Sequence, residues 1–290
     1  MAWIQLTLVT DKTGNEQAEE ALLEAGALSV TLKDAEDDPV LEPAPGETPL
    51  WNKIIITGLF EADTDIDLVT QHIHQHLGTE VHLRIEPLEE KDWVRAWMDN
   101  YKPMQFGNRL WVCPKHLQPP QPDAVNLMLD PGLAFGTGTH PTTSLCLQWL
   151  NNIALENQTV LDYGCGSGVL GIAALLLNAK HCDAVDIDPQ ALEATIENAR
   201  ANGVINQIKV MLPEQLKQQN YDIVIANILA GPLTKLAEQL SQKTKTGGHI
   251  VLSGILEHQA KDILNAYQKW FILDPVVTEN EWIRITGTKK

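Results

Sequence analysis

The chain has 290 residues, of which 44% are hydrophobic and 20% are charged, a composition that is typical of globular proteins and does not indicate disorder. A formal net charge of −17 disfavours proteins that bind nucleic acid by neutralising phosphates, and it indicates either a cationic partner or simply a need for solubility. The four cysteines lack C-x-x-C spacing and no apolar run reaches the length of a membrane span, so we expect a reduced, soluble, cytoplasmic protein that contacts neither membrane nor nucleic acid.

The first 88 residues predict a small domain of four strands and two helices. Apolar residues alternate, as in strands, over residues 2–9, 27–36, 53–61 and 80–89. Helical spacing occupies residues 14–27 and 65–78, and Asp65 is a plausible cap for the second helix. The order βαββαβ is that of the ferredoxin-like fold, which by itself assigns no function.

Residues 89–123 predict a connecting segment, with an amphipathic helix over 89–101 and a short strand near 108–114. Its aromatic side chains could form a substrate surface, although packing of the linker helix is the more common role. These aromatic residues are Trp93, Trp97, Tyr101, Phe106 and Trp111.

Residues 124–290 predict a doubly wound, mostly parallel sheet. Five apolar runs of strand length are each followed by a helical pattern, which is typical of such sheets. The runs span residues 158–166, 181–188, 206–214, 221–228 and 247–254. The last two strands of the chain have no helix between them, so the final strand should run antiparallel at or near the sheet edge.

The turn after the first of these strands raises a choice between two cofactors. Its glycines fit the dinucleotide pattern G-x-G-x-x-G, but together with Asp162 they also fit D-x-G-x-G-x-G, which suits an adenosyl group without phosphates. In either case Gly164 and Gly166 allow the backbone to approach the ligand, and Asp186 is placed to accept ribose hydroxyls. Asp188 is more plausible as the cap of the following helix.

Asp162 favours S-adenosylmethionine over NAD. A carboxylate at the entry to the turn would repel a pyrophosphate, whereas it would help to hold the cationic amino-acid part of S-adenosylmethionine. The alternative is that Asp162 is structural and accepts hydrogen bonds from turn amides.

Residues 130–143, DPGLAFGTGTHPTT, predict a glycine-rich lid over the cofactor. Phe135 is a candidate contact to the reacting groups, and Thr143 could reach the ligand. A simple helix-capping turn is the alternative. His140 is left out of the site, because a histidine beside a proline in a turn is more often structural.

Five motifs together resemble the bacterial ribosomal protein L11 methyltransferase family over nearly the whole chain. They are DPGLAFGTGTHPTT, DYGCGSGVLGIAAL, DIDPQALEATIENA, YDIVIANILAGP and the terminal EWIRITG. The resemblance implies a class I methyltransferase fold and transfer of methyl groups from S-adenosylmethionine to lysine side chains and the α-amino group of that large-subunit stalk-base protein. It implies that the N-terminal domain holds the substrate. It assigns cofactor contacts to Thr143, Gly164, Asp186 and Asn227.

Asn227 is the predicted catalytic residue, because its amide oxygen can orient an amine at the end of a central strand. Many amino-group methyltransferases have Asn-Pro-Pro-Tyr here, whereas this chain has Asn-Ile-Leu-Ala. The missing aromatic residue favours a flexible aliphatic amine over a planar base.

Three other functions remain open: a small-molecule amine methyltransferase whose N-terminal domain only dimerises, a non-catalytic ligand-binding module and, as the weakest, a dinucleotide oxidoreductase. No metal is predicted. His72 and His76 share a helix face, but no third ligand lies near them in the sequence, so solvated surface histidines are expected.

Overall fold

A computed structural model describes residues 3–36, 49–88, 101–129, 140–217 and 219–290. The chain divides into two compact units, Met1–Ala96 and Trp97–Lys290. Among the described helices, none combines the length and the apolar character needed to cross a membrane.

The N-terminal unit has the predicted βαββαβ order. Its elements are β1 (Trp3–Asp11), α1 (Asn15–Glu24), β2 (Ser29–Asp34), β3 (Lys53–Glu61), α2 (Ile66–Leu77) and β4 (Arg84–Leu88). The strands form one antiparallel sheet in the order β2-β3-β1-β4. This is the ferredoxin-like arrangement that the sequence predicts.

One face of this sheet is covered by the two helices. In β3, Ile54, Ile56 and Phe60 are buried at alternate positions and pack with Leu22 of α1 and Ile73 of α2. Burying each such side chain stabilises the fold by about 1.5–3 kcal/mol. As predicted, the Asp65 carboxylate caps α2. It accepts hydrogen bonds from the backbone amides of Asp67 and Leu68, at 3.1 and 3.3 Å.

The larger unit begins, in its described part, with a three-stranded sheet of β5 (Met104–Phe106), β6 (Leu110–Cys113) and β7 (Val125–Met128). Val112 and Leu127 of this sheet are fully buried in the same core as Leu147 and Leu150 of the helix α3 (Pro141–Asn152). The small sheet is therefore part of the larger unit's core.

The main sheet is doubly wound, and the predicted fold class is confirmed. Its further elements are β8 (Thr159–Tyr163), α4 (Val169–Leu176), β9 (His181–Val185), α5 (Pro189–Ala201), β10 (Ile208–Met211), β11 (Tyr221–Asn227), α6 (Ala230–Lys243), β12 (Thr244–Leu256), α7 (Ala260–Tyr267), β13 (Phe271–Leu273), β14 (Val277–Glu279) and β15 (Trp282–Lys289). The strand order is β10-β9-β8-β11-β12-β15-β13, with β14 also paired to β15.

Helices cover both faces of this sheet, as β11 shows. Ile223 and Ile225 point into a core that contains residues of α3, α4 and α5, whereas Val224 and Ala226 point into a core that contains residues of α6 and α7. The five strands from β10 to β12 are parallel, and β15 runs antiparallel to its neighbours. The antiparallel strand lies next to the edge, with β13 and β14 outside it.

The connection after β10 differs from the prediction of a helix after every parallel strand. The described residues between β10 and β11 contain only a short 3-10 turn, Pro213–Gln215. The connection between Met211 and Tyr221 is too short for a full packed helix. The strand order reverses between β8 and β11, so the carboxyl ends of these two strands border a crevice.

Candidate active site

The turn that follows β8 depends on glycine. Gly164, Gly166 and Gly168 all have positive φ, at 78°, 54° and 78°, a region that only glycine enters without strain. A Cβ built on Gly164 would also overlap the Cγ2 of Ile228, which follows β11. The glycines therefore let the first turn approach the end of β11 closely.

A cavity of about 640 Å³ opens at the carboxyl ends of β8, β9 and β11. This volume is within the usual range for small-molecule sites. Four predicted site residues line it: Gly164, Gly166, Asp186 and Asn227. The rest of the wall is largely apolar and includes Tyr163, Val185, Ile187, Pro213, Ile228, Leu229, Pro232, Leu236 and Trp282.

Asp186 follows the last residue of β9 and faces the glycine turn. Its Oδ2 accepts the amide hydrogen of Gly166 at 2.9 Å, and its Oδ1 accepts that of Asp188 at 3.0 Å. Each carboxylate oxygen has a second lone pair, so the side chain can still accept hydrogen bonds from the hydroxyl groups of a ligand. The two backbone contacts fix its orientation. Asp188 caps α5, as predicted, by accepting the amide hydrogen of Gln190 at 2.9 Å.

Asp162, the residue before Tyr163 at the end of β8, is 1% exposed and does not line the cavity. Its Oδ2 accepts the amide hydrogen of Gly171 at 2.8 Å, while its Oδ1 is buried and has no hydrogen-bond partner among the described residues. Burial raises the pKa of Asp162 to about 7; the Gly171 hydrogen bond opposes this rise and the nearby Asp186 carboxylate adds to it. The Gly171 contact gives one carboxylate oxygen a structural role, while the other oxygen has no partner among the described residues.

Gly171 has a packing role. A Cβ built there would lie 2.8 Å from the Cys182 Sγ and 3.1 Å from the Asp162 Oδ2. The third glycine of the apparent dinucleotide pattern therefore makes room for the Asp162 carboxylate at the start of α4. All four cysteines of the chain, including Cys182, are free and buried.

Asn227 is the last residue of β11, and its Nδ2 donates to the Thr143 hydroxyl at 3.3 Å. Thr143 itself is fully buried in the first turn of α3. The Asn227 amide oxygen accepts no hydrogen bond from the described residues, so it remains available to a donor in the cavity. The structure thus brings the predicted Thr143 and Asn227 together, with Asn227 on the cavity wall.

His140 and Trp282 also line the cavity and were not among the predicted site residues. The imidazole caps α3, with its Nδ1 2.8 Å from the Thr142 hydroxyl, and its ring meets the Trp282 ring edge-on at 4.8 Å. Burial lowers the pKa of His140. The only sequence signal for Trp282 was its place in the terminal motif at the start of β15.

These aromatic walls correct one argument from the sequence. The absence of an aromatic residue directly after Asn227 predicts that a stacking surface for planar substrates is missing. Tyr163 and Trp282 supply aromatic surfaces to the cavity from β8 and β15. The sequence Asn-Ile-Leu-Ala alone therefore does not exclude a planar substrate.

Two predicted features lie outside the described residues. Phe135 and most of the glycine-rich lid fall within residues 130–139, and the predicted linker helix, residues 89–101, lies outside the described residues except for Tyr101. Of the lid motif, only the part from His140 to Thr143 is described, where it forms the start of α3.

Comparison with known proteins places the whole chain in one family. Residues 2–290 match the family described as ribosomal protein L11 methyltransferase (PrmA). Two relatives of that name, from Serratia proteamaculans (strain 568) and Salmonella newport (strain SL254), are 52% and 54% identical over 293 residues, with 100% of each chain covered.

A solved structure agrees with this assignment. The crystal structure of a ribosomal protein L11 methylase from Lactobacillus delbrueckii subsp. bulgaricus is 33% identical, with a TM-score of 0.60, and the match covers 66% of this chain and 100% of that one. The resemblance first seen in five motifs is thereby confirmed, and the chain belongs to the ribosomal protein L11 methyltransferase family.

Proposed function

We propose that this protein is a cytoplasmic enzyme that transfers methyl groups from S-adenosylmethionine to lysine side chains and the N-terminal α-amino group of ribosomal protein L11, at the base of the large-subunit stalk. The observation that carries the proposal is the meeting of Asp186 and Asn227 on one largely apolar cavity at the carboxyl ends of parallel strands. Full-length similarity to enzymes named for this activity supports it.

The described residues fit S-adenosylmethionine. The Asp162 carboxylate has a buried oxygen without a partner, and a nearby cation would satisfy it. A Cβ on Gly164 would overlap the Cγ2 of Ile228, so only glycine lets the turn and the end of β11 border the same cavity. When bound, S-adenosylmethionine supplies a methyl group activated by a positively charged sulfur.

Different residues would bind different parts of S-adenosylmethionine. Asp186, held by two backbone amides, would accept hydrogen bonds from the ribose hydroxyls through its remaining lone pairs. Gly164 and Gly166 would let the backbone approach the ligand, and Asp162 would favour the cationic amino-acid part. Phe135 stays a predicted contact from the lid.

Asn227 would position the acceptor amine. Because Thr143 holds the amide through Nδ2, the oxygen Oδ1 can accept a hydrogen from the amine and direct the nitrogen lone pair into the cavity. An amine must be neutral to react, and the apolar wall lowers the pKa of a desolvated lysine. A charged side chain beside Asn227 is then not needed to deprotonate the acceptor amine.

We assign recognition of the protein substrate to the N-terminal domain, residues 1–88, and catalysis to residues 124–290. Residues 89–123 form the proposed connection, and β5 and β6 within it pack into the core of the larger unit. The competing hypothesis is an enzyme for small amines, whose N-terminal domain serves only for dimerisation. It predicts turnover of a free aliphatic amine without any protein acceptor.

The test is incubation with radiolabelled S-adenosylmethionine and total ribosomal protein from methylation-deficient cells. We expect the label in L11, at lysine side chains and the N-terminus, with little transfer to free lysine added at the same amine concentration. Equal labelling of free lysine would favour the small-amine enzyme, and label in another ribosomal protein would change the substrate.

A further inference from the structure

Three side chains that are common metal ligands meet on the helical face of the N-terminal unit. Glu24 is the last residue of α1, and His72 and His76 lie one turn apart on α2. The Oε2 of Glu24 lies 3.7 Å from the Nε2 of His72 and 3.6 Å from the Nε2 of His76. One ligand atom from each residue lies within 4.8 Å of the other two. The fold thus supplies the third ligand that the neighbouring sequence lacks.

The backbone of α2 sets the tautomer of His76. Its Nδ1 lies 2.9 Å from the carbonyl oxygen of His72, and because a carbonyl can only accept, Nδ1 carries the hydrogen. In the neutral ring, Nε2 then presents a lone pair towards Glu24. A backbone carbonyl that accepts from the other ring nitrogen is the usual support of a metal-bound histidine.

With both histidine rings neutral and no cation bound, the arrangement is unfavourable. The Nε2 of His72 is buried and has no hydrogen-bond partner among the described residues. A histidine lone pair and a carboxylate oxygen facing each other at 3.6 Å are two acceptors with nothing to share. In addition, Glu24 lies in the last turn of α1, where the helix dipole disfavours a negative charge.

The spacing suits one bound ion. Nitrogen and oxygen ligands lie about 2.0–2.2 Å from Zn²⁺, so the ligands of a tetrahedral site are about 3.3–3.6 Å apart. The two histidine–carboxylate distances, 3.6 and 3.7 Å, lie at or just above the upper end of this range, and small side-chain rotations would close the difference. Both are too long for direct hydrogen bonds.

We propose that Glu24, His72 and His76 form a binding site for Zn²⁺ or a similar divalent transition-metal ion, with water in the fourth position. The ion would connect the end of α1 to α2 and stabilise the packing of these two helices. This site is separate from the methyl-transfer cavity, and it does not depend on the proposed function.

The test is calorimetric titration of the metal-stripped, full-length protein with ZnCl₂ at pH 7.5. We expect one Zn²⁺ per chain, a dissociation constant at least about tenfold higher in Glu24→Gln and in His72→Ala, and an unchanged constant in His82→Ala. His82 is an exposed histidine of the same unit outside the cluster, which makes it the matched control.

Glu24→Gln keeps the test decisive even if a histidine variant folds poorly. The Glu24 side chain is 62% exposed, so its replacement should leave the helix content in far-ultraviolet circular dichroism unchanged. Absence of Zn²⁺ binding by the parent protein, or equal binding by Glu24→Gln, would overturn the proposal.

Discussion

The Asn227 amide donates to the Thr143 hydroxyl at 3.3 Å, which joins the end of β11 to the first turn of α3. Thr143 is fully buried and therefore gives the amide a fixed support. With Nδ2 occupied in this way, Oδ1 is the atom left for a substrate amine. The pair explains how a residue without charge could orient the acceptor.

Replacing Asn227 by alanine should reduce the single-turnover rate of methyl transfer by about a hundredfold, because one well-placed polar contact at a reacting centre contributes a few kcal/mol. Rapid-quench kinetics with both substrates saturating measure this rate. Asn227→Asp keeps an oxygen but adds a charge that would hold the amine as ammonium, so its activity optimum should move to higher pH. Parent rates and an unchanged pH profile in both variants would make Asn227 purely structural.

Asp186→Ala should raise the dissociation constant for S-adenosylmethionine at least tenfold, since hydrogen bonds to a charged group contribute on the order of 1.5–3 kcal/mol. Asp188→Ala is the matched control, because Asp188 caps α5 and does not line the cavity. It should cost about 1 kcal/mol of stability and leave the affinity nearly unchanged. If the parent and Asp186→Ala bound S-adenosylmethionine with equal affinity, the ribose would have to bind at another residue.

Asp162 should make the stability of the ligand-free protein depend on pH. Its pKa is raised by burial from the ordinary 3.8 to about 7, so the folded protein binds more protons than the unfolded chain between these values. Stability contributed by this group therefore falls as pH rises from about 4 to about 7, by on the order of 1–4 kcal/mol.

Asp162→Asn, which keeps an acceptor for the Gly171 amide, should remove that dependence. Calorimetric melting at pH 5 and pH 8, which spans most of this window, should show a smaller decrease in stability for the variant than for the parent. S-adenosylmethionine should stabilise the parent more than the variant at pH 8, because the ionised carboxylate attracts its cationic part. Identical pH dependence in both proteins would contradict the assigned pKa.

A chain that starts at Trp97 should separate cofactor binding from substrate choice. The cut follows the boundary between the two compact units and keeps β5, β6 and β7, whose side chains belong to the core of the larger unit. The truncated protein should still bind S-adenosylhomocysteine in a calorimeter but should lose methylation of L11. Undiminished methylation by this chain would remove the recognition role from the N-terminal domain.

Much of the site could be predicted because it depends on local pattern. Gly164, Asp186 and Asn227 each follow or end an apolar run, and the carboxyl ends of parallel strands meet at one edge. Asp65 and Asp188 could be assigned as caps because a cap depends on only three or four neighbouring residues.

The remaining features depend on contacts between distant parts of the chain. His140 and Trp282 meet only because β15 lies beside β12 and its first residue reaches the start of α3. Glu24 reaches His72 and His76 only through the packing of α1 against α2. Gly171 matched a dinucleotide pattern, and its role became clear only from the position of the Asp162 carboxylate. Periodicity carries no information about such pairs.

Transfer of methyl groups to purified L11 tests the central claim most directly. The full-length protein, S-adenosylmethionine and unmethylated L11 would be incubated together, and the sites of methylation would be identified by fragment mass spectrometry. We expect methyl groups on lysine Nζ atoms and on the N-terminal nitrogen, and a strongly reduced yield with Asn227→Ala. Unmodified L11 after incubation with a folded, cofactor-binding enzyme, or methyl groups only on atoms other than nitrogen, would contradict the account.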